Sequence, residues 1–154
     1  MDEITYKPIG IIHTSFRSTS EVPKESKDVN LAKGTIEVAP QYAEGLRDIE
    51  GFSHLFVIFH FHLSRDYPLL VKPHRDDKLR GVFATRSPAR PNPIGLSVVR
   101  LTKREGNILS IQGADMVDGT PVLDIKPYVP QFGQEGILKV GWLERHLESR
   151  RGRP

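Results

Sequence analysis

The sequence predicts a mainly β protein. Its apolar runs are short, 13 Gly and 12 Pro interrupt them throughout, and in the longest run every second residue is apolar. Six or seven strands in 154 residues would leave costly exposed edges, so closure into a barrel or a two-layer sheet is the expected architecture. At this length one domain can bury a core without disulfides or a structural metal. The absence of cysteine excludes thiol nucleophiles, Cys-type zinc sites and iron–sulfur clusters, and points to a reducing, cytoplasmic setting. The first residues lack the basic start and apolar run of a secretion signal, and no run reaches the ~20 apolar residues of a membrane helix, so no membrane association is expected.

The expected strands are Ile9–Ser15, Gly34–Val38, His54–Leu63, Gly81–Ala84, Gly95–Thr102, Ile108–Asp115 and Pro121–Ile125. Arg104-Glu105-Gly106-Asn107 reads as a hairpin turn between the fifth and sixth. Helices are expected at Pro40–Ile49, where Pro occupies the first position and Tyr42, Leu46 and Ile49 share a face, and at Gly141–Ser149. In His54–Leu63 the odd positions Leu55, Val57, Phe59, Phe61 and Leu63 form a core face. The other face carries His54, His60 and His62. An i, i+2 imidazole pair suits a metal on a strand, but no carboxylate accompanies it, so no metal is expected and hydrogen-bonding or acid/base roles are open.

Net charge is +3, and the positive charge is segregated. Lys72, Arg75, Lys78, Arg80, Arg86 and Arg90 face only Asp76 and Asp77 within residues 72–90, and Arg145, Arg150, Arg151 and Arg153 crowd the last ten positions. Such clustering suits a polyanionic partner, above all nucleic acid, although a solvated loop and a frayed tail would look the same. The densest signal is Gly81–Gly95, where Pro88, Pro91 and Pro93 exclude helix and stiffen a loop that presents Arg86, Arg90 and Asn92. A stiff loop holds such groups at low entropic cost, as an anionic or planar polar ligand requires. Pairing of its arginines with local carboxylates is the alternative. In residues 112–128, Asp118-Gly119 reads as a turn, and Asp115, Asp118, Asp124 and Lys126 are expected to crowd one end of the sheet, with Lys126 or an arginine balancing Asp124.

Thr85-Arg86-Ser87-Pro88-Ala89-Arg90-Pro91-Asn92-Pro93-Ile94-Gly95 resembles the signature of the TsaA-like family of tRNA N6-threonylcarbamoyladenosine methyltransferases. Val22-Pro23-Lys24-Glu25, Phe52-Ser53-His54-Leu55, Phe61-His62 and the stretch Val117–Tyr128 agree in order and approximate separation, so the resemblance covers roughly residues 6–130. It departs at Lys24-Glu25, where the family usually has Arg-Gln, and at Ala89, commonly an aromatic.

The resemblance implies a single-sheeted β-barrel with one or two short helices, a homodimer, S-adenosyl-L-methionine as cofactor, and the anticodon loop of tRNA as partner. On that basis residues 1–140 form the barrel domain and 141–154 a short helix with a basic tail. The implied cofactor contacts are Glu25, Ser26, Lys27, His62, Leu63, Arg86, Leu96, Gln112, Gly113, Ala114 and Asp115. Arg86 is expected to meet the cofactor's carboxylate and Asp115 its amino or ribose groups. N6 of a carbamoylated adenine is a poor nucleophile, so a base is expected, with His60, His62 and Asp118 the candidates by residue type. Arg80, Arg90, Asn92 and Lys126 are expected to hold substrate, and Tyr128 to stack on a base. Where bacterial relatives continue into a further domain, the arginines of residues 145–153 and the 72–80 loop are expected to supply tRNA contact. No Gly-x-Gly-x-x-Gly motif opens a helix, so a Rossmann-type site is not expected. A non-catalytic RNA-binding barrel and a small metal enzyme using His60 and His62 are the rival readings.

Overall fold

The structure, a computed structural model, describes residues 1–74, 76–130 and 138–151, and the side chains of all of these except Ser26 and residues 148–151. Arg75 and Arg153, and the side chains of Arg150 and Arg151, therefore lie outside the described residues. In chain order the strands are β1 (Gly10–His13), β2 (Lys33–Val38), β3 (His54–His60), β4 (Leu70–Val71), β5 (Arg80–Gly81), β6 (Ile94–Glu105), β7 (Ile108–Gln112) and β8 (Pro121–Pro127). The α-helices are α1 (Ser26–Leu31) and α2 (Glu144–Arg151).

Six strands close into an antiparallel barrel in the order β1-β2-β7-β6-β3-β8, with β4 and β5 forming a separate ribbon. Closure removes the edges that a flat sheet would expose. Alternation puts Ile12, Ile36, Val38, Leu55, Val57, Val99, Leu109, Ile111 and Val122 into the lumen, each at most 1% exposed. The β6–β7 hairpin turns at Gly106, whose φ of +60° favours glycine, and the Asn107 amide donates to the Val38 carbonyl at 2.7 Å. No helix among the described residues is long and apolar enough to cross a membrane.

Several expected elements are corrected. Pro40–Ile49 is not an α-helix but two 3₁₀ segments, Pro40–Leu46 and Ile49–Gly51. Arg47 turns extended and Asp48 is left-handed at φ 71°, so the face intended for Tyr42, Leu46 and Ile49 is broken and only Leu46 is buried. Arg104 fixes this segment, donating to the Leu46 carbonyl at 3.0 Å and to Glu50 at 2.7 Å. Together with the Glu50 backbone N–H, that contact holds the Glu50 carboxyl below its ordinary pKa.

Strand Gly81–Ala84 survives only as Arg80–Gly81. Val82–Ala84 is a 3₁₀ turn, closed by the Thr85 N–H donating to the Val82 carbonyl at 3.1 Å, with Val82 buried and Phe83 exposed. β3 stops at His60, and the Phe61 N–H donates instead to the Pro93 carbonyl at 2.7 Å. The strand expected over Ile108–Asp115 ends at Gln112, since Gly113 takes φ +89°. The C-terminal helix begins with a 3₁₀ turn at Gly141–Leu143.

Candidate active site

Four segments meet at one rim of the barrel around a cleft of about 720 Å³. The loop after β1 contributes Thr19, Ser20, Val22 and Lys24, and β3 with its following turn contributes Phe59, Phe61, His62, Leu63, Ser64, Arg65 and Asp66. The proline loop adds Pro88 and Ala89, and the β7–β8 connection adds Asp115, Met116, Val117 and Thr120. Ser64 ties two walls together by donating its hydroxyl to the Pro88 carbonyl at 3.1 Å. A bulge between Ile58 and Phe59 bends β3 at this rim, which is a usual place for such irregularity.

The floor depends on a glycine. Gly95 faces Phe59 across β3 and β6, and a Cβ on Gly95 would sit 2.3 Å from the Phe59 ring. The ring lies edge-on to Phe61, with centroids 5.0 Å apart. Gly95→Ala is therefore expected to displace Phe59, to destabilise the protein by about 1–3 kcal/mol as overpacking does, and to deform the cleft. Thermal denaturation of the variant checks this; an unchanged melting temperature would mean the ring moves at no cost.

Three polar side chains of the cleft, Ser64, Asp115 and Thr120, are held by hydrogen bonds. Asp115 is half-buried and accepts from the Ser97 hydroxyl at 2.9 Å. Lys24, His62, Arg65 and Asp66 stand at the mouth, and the remaining lining is mostly apolar. That donor set suits a ligand with an apolar planar part and a charged amino-acid part.

The implied cofactor residues divide accordingly. His62, Leu63 and Asp115 line the cleft, and Glu25, Ser26 and Lys27 start α1 immediately after Lys24. Gly113 and Ala114 are buried, their N–H groups donating to the Ala32 carbonyl at 2.8 and 3.2 Å. Gln112 lines a different groove. Arg86 donates to the Leu96 carbonyl at 2.6 Å, and neither residue lines the cleft. Among the base candidates, His62 lines the cleft. His60 lies opposite Ile94 on the barrel wall, and Asp118 accepts from the Thr14 N–H at 3.0 Å, pinning the turn before β8.

Among the described residues, Arg86 and Arg90 of the proline loop pair with carbonyls and not with carboxylates. Arg90 donates to the carbonyls of Thr85 and Ser87, both at 3.0 Å, and so braces the loop from within. Asn92 is exposed. Asp115, Asp118, Asp124 and Lys126 do not crowd together as expected: Asp124 pairs with Lys126 at 2.9 Å on the outer wall, where it faces Ile58, while Asp115 and Asp118 take the separate partners given above. Tyr128 packs edge-on against His54 and Phe56. Sequence reasoning did not single out Thr19, Ser20, Ser64, Arg65 and Asp66, which have no motif spacing; only the loop they share with Val22-Pro23 and the Phe61-His62 pair pointed toward them.

Arg80 belongs to a neighbouring assembly. Its Nε donates to Asp76 at 2.9 Å, and its guanidinium lies 5.8 Å from the centroid of Trp142, whose indole N–H donates to the Ala84 carbonyl at 2.8 Å. Trp142 thus docks the 3₁₀ turn at Gly141–Leu143 just ahead of the proline loop. The Arg80 hydrogen bond, with help from the Asp77 N–H, holds the Asp76 carboxyl at about 2 against an ordinary 3.8. A depressed carboxylate stabilises the folded form above its unfolded pKa and loses that contribution as pH falls through the folded value. Trp142 is the single tryptophan, so its fluorescence is expected to stay constant down to about pH 4 and to change as pH falls toward about 2. Asp76→Asn should show the acid spectrum at neutral pH; an unaltered spectrum would detach Trp142 from this ion pair.

A family model described as the tRNA-methyltransferase O N-terminal domain matches residues 11–134. A probable S-adenosyl-L-methionine-binding protein of Pyrococcus abyssi is 53% identical over 146 residues, covering 95% of this chain and 79% of that protein. The tRNA (adenine(37)-N6)-methyltransferase of Escherichia coli is 39% identical over 140 residues, covering 84% of this chain and 60% of that enzyme. A crystal structure of TrmO from Pseudomonas aeruginosa matches with a TM-score of 0.74 at 37% identity, over 92% of this chain and 63% of that one. The chain thus spans less than two thirds of the Escherichia coli enzyme and of the crystallised TrmO. With the barrel, the proline-loop signature and these matches in agreement, the chain belongs to the tRNA-methyltransferase O N-terminal domain family.

Proposed function

We propose that this protein binds S-adenosyl-L-methionine in the cleft and is a tRNA methyltransferase acting at N6 of threonylcarbamoyladenosine 37, beside the anticodon. The observation that carries the reading is the cleft itself: a largely apolar hollow with one anchored carboxylate, Asp115, and cations at its mouth. The names of the Pyrococcus and Escherichia relatives supply the ligand and the modified position. The cofactor brings an electrophilic methyl group on a sulfonium. Phe61, Met116 and Val117 exclude water and take the adenine, Asp115 accepts from amino or ribose groups, and Lys24 and Arg65 attract the carboxylate. His62 receives the N6 proton, and positioning of the acceptor supplies much of the rate.

In this reading residues 1–140 are the catalytic barrel of a homodimer, and 141–154 face tRNA. Incubation with methyl-labelled cofactor and tRNA, with and without the threonylcarbamoyl group, tests it. Incorporation only into the carbamoylated tRNA is expected. Equal labelling of unmodified tRNA would reassign the acceptor to plain adenine, and no labelling of either would overturn the activity.

A further inference from the structure

The barrel has a second concavity, on its outer wall and away from the cleft. A groove of about 510 Å³ is lined by His13, Lys33, Thr35, Thr102, Ser110 and Gln112. All six stand at positions that alternate with the buried lumen residues of β1, β2, β6 and β7. Register extends this groove across the wall: Lys33 lies opposite Gln112, Gln112 opposite Arg100, and Arg100 opposite His54. Four strands thus carry one transverse row of donors, each step about 4.8 Å. Beyond His54 the row ends in aromatic rings, with Tyr128 6.3 Å from His54 and 5.2 Å from Phe56.

The charges on this row are unbalanced. Lys33 and Arg100 are exposed and make no ion pair or side-chain hydrogen bond among the described residues. The nearby carboxylates are already paired: Glu37 with His13 at 2.8 Å, Glu105 with Lys103, and Asp124 with Lys126. Thr35, Thr102 and Ser110 add hydroxyl groups to the lining of the groove. Cations without counter-ions, neutral donors and a terminal aromatic cluster together complement phosphate oxygens on one side and base faces on the other. An acidic peptide would use the cations and leave the rings without a stacking partner.

We propose that this outer groove is a binding track for single-stranded RNA, with Lys33 and Arg100 neutralising phosphates and Tyr128 stacking on a base. The RNA is the unpaired part of the tRNA if the proposed activity holds, and to that extent the track rests on that reading. It gives the substrate a purchase on the barrel remote from the cleft.

Fluorescence polarisation with a labelled single-stranded RNA of about 12 nucleotides tests the track on the full chain, with isothermal titration of S-adenosyl-L-methionine as a parallel reading. Lys33→Ala/Arg100→Ala is expected to weaken RNA binding about tenfold and to lower the salt slope by about 1.4, at about 0.7 per lost phosphate contact. Tyr128→Ala is expected to weaken it about fivefold with the slope unchanged. Cofactor affinity should be the same in all three proteins. Parental RNA affinity and slope in the double variant would overturn the track. So would a change from dimer to monomer in light scattering with RNA affinity per chain preserved, which would assign the wall to a second copy. Loss of cofactor binding in the parent protein would remove the proposed activity and leave the RNA result standing.

Discussion

Asp115→Asn will weaken S-adenosyl-L-methionine binding by about ten- to a hundredfold, because a hydrogen bond to a charged acceptor contributes about 1.5–3 kcal/mol. Asparagine keeps the size of the side chain and can still accept from the Ser97 hydroxyl, now 2.9 Å from the carboxylate, so the barrel should be unaffected. Asp115 follows the left-handed Gly113 and the buried Ala114, which turn the chain from the lumen of β7 to the cleft. The carboxylate is therefore aimed by backbone, not by a mobile loop. Titration of both proteins, alongside their melting curves, separates the effects. Equal affinity in a folded variant would take Asp115 out of the binding site.

Trp142→Ala will lower tRNA affinity about tenfold at low salt while leaving cofactor affinity unchanged. The indole is the anchor that holds the segment after residue 140 against Ala84 and Arg80, and α2 starts two residues later. Without the anchor, α2, which carries Arg145, is no longer held to the barrel through the Ala84 carbonyl. Truncation after Glu144, which keeps the anchor but removes the arginines, is expected to give a similar loss and a shallower salt dependence. Parental affinity in both variants would show that this segment does not meet tRNA.

How legible all this was differs by element. The core face of β3 was visible because a two-residue period survives in any strand with one buried side. Its end was not, since Phe61 continues the pattern although its N–H turns to Pro93, a contact 32 residues away in sequence. Helix α1, Ser26–Leu31, has no apolar stripe, and Leu31 is 74% exposed, so periodicity had nothing to detect. Proline chemistry located the stiff loop and its arginines, but their carbonyl partners depend on how the loop folds back on itself. The signature led to the family, whereas the outer groove appears only when strand register sets Lys33, Gln112, Arg100 and His54 side by side. Composition registered the basic loop and tail, and had no means to see a row shared by four strands.

Whether the cleft holds the cofactor is decided by isothermal titration of the purified, metal-free protein with S-adenosyl-L-methionine, with S-adenosylhomocysteine alongside. Saturable binding near one ligand per chain, weakened in Asp115→Asn, is the predicted result. A folded sample that binds neither ligand, with or without tRNA, would contradict it.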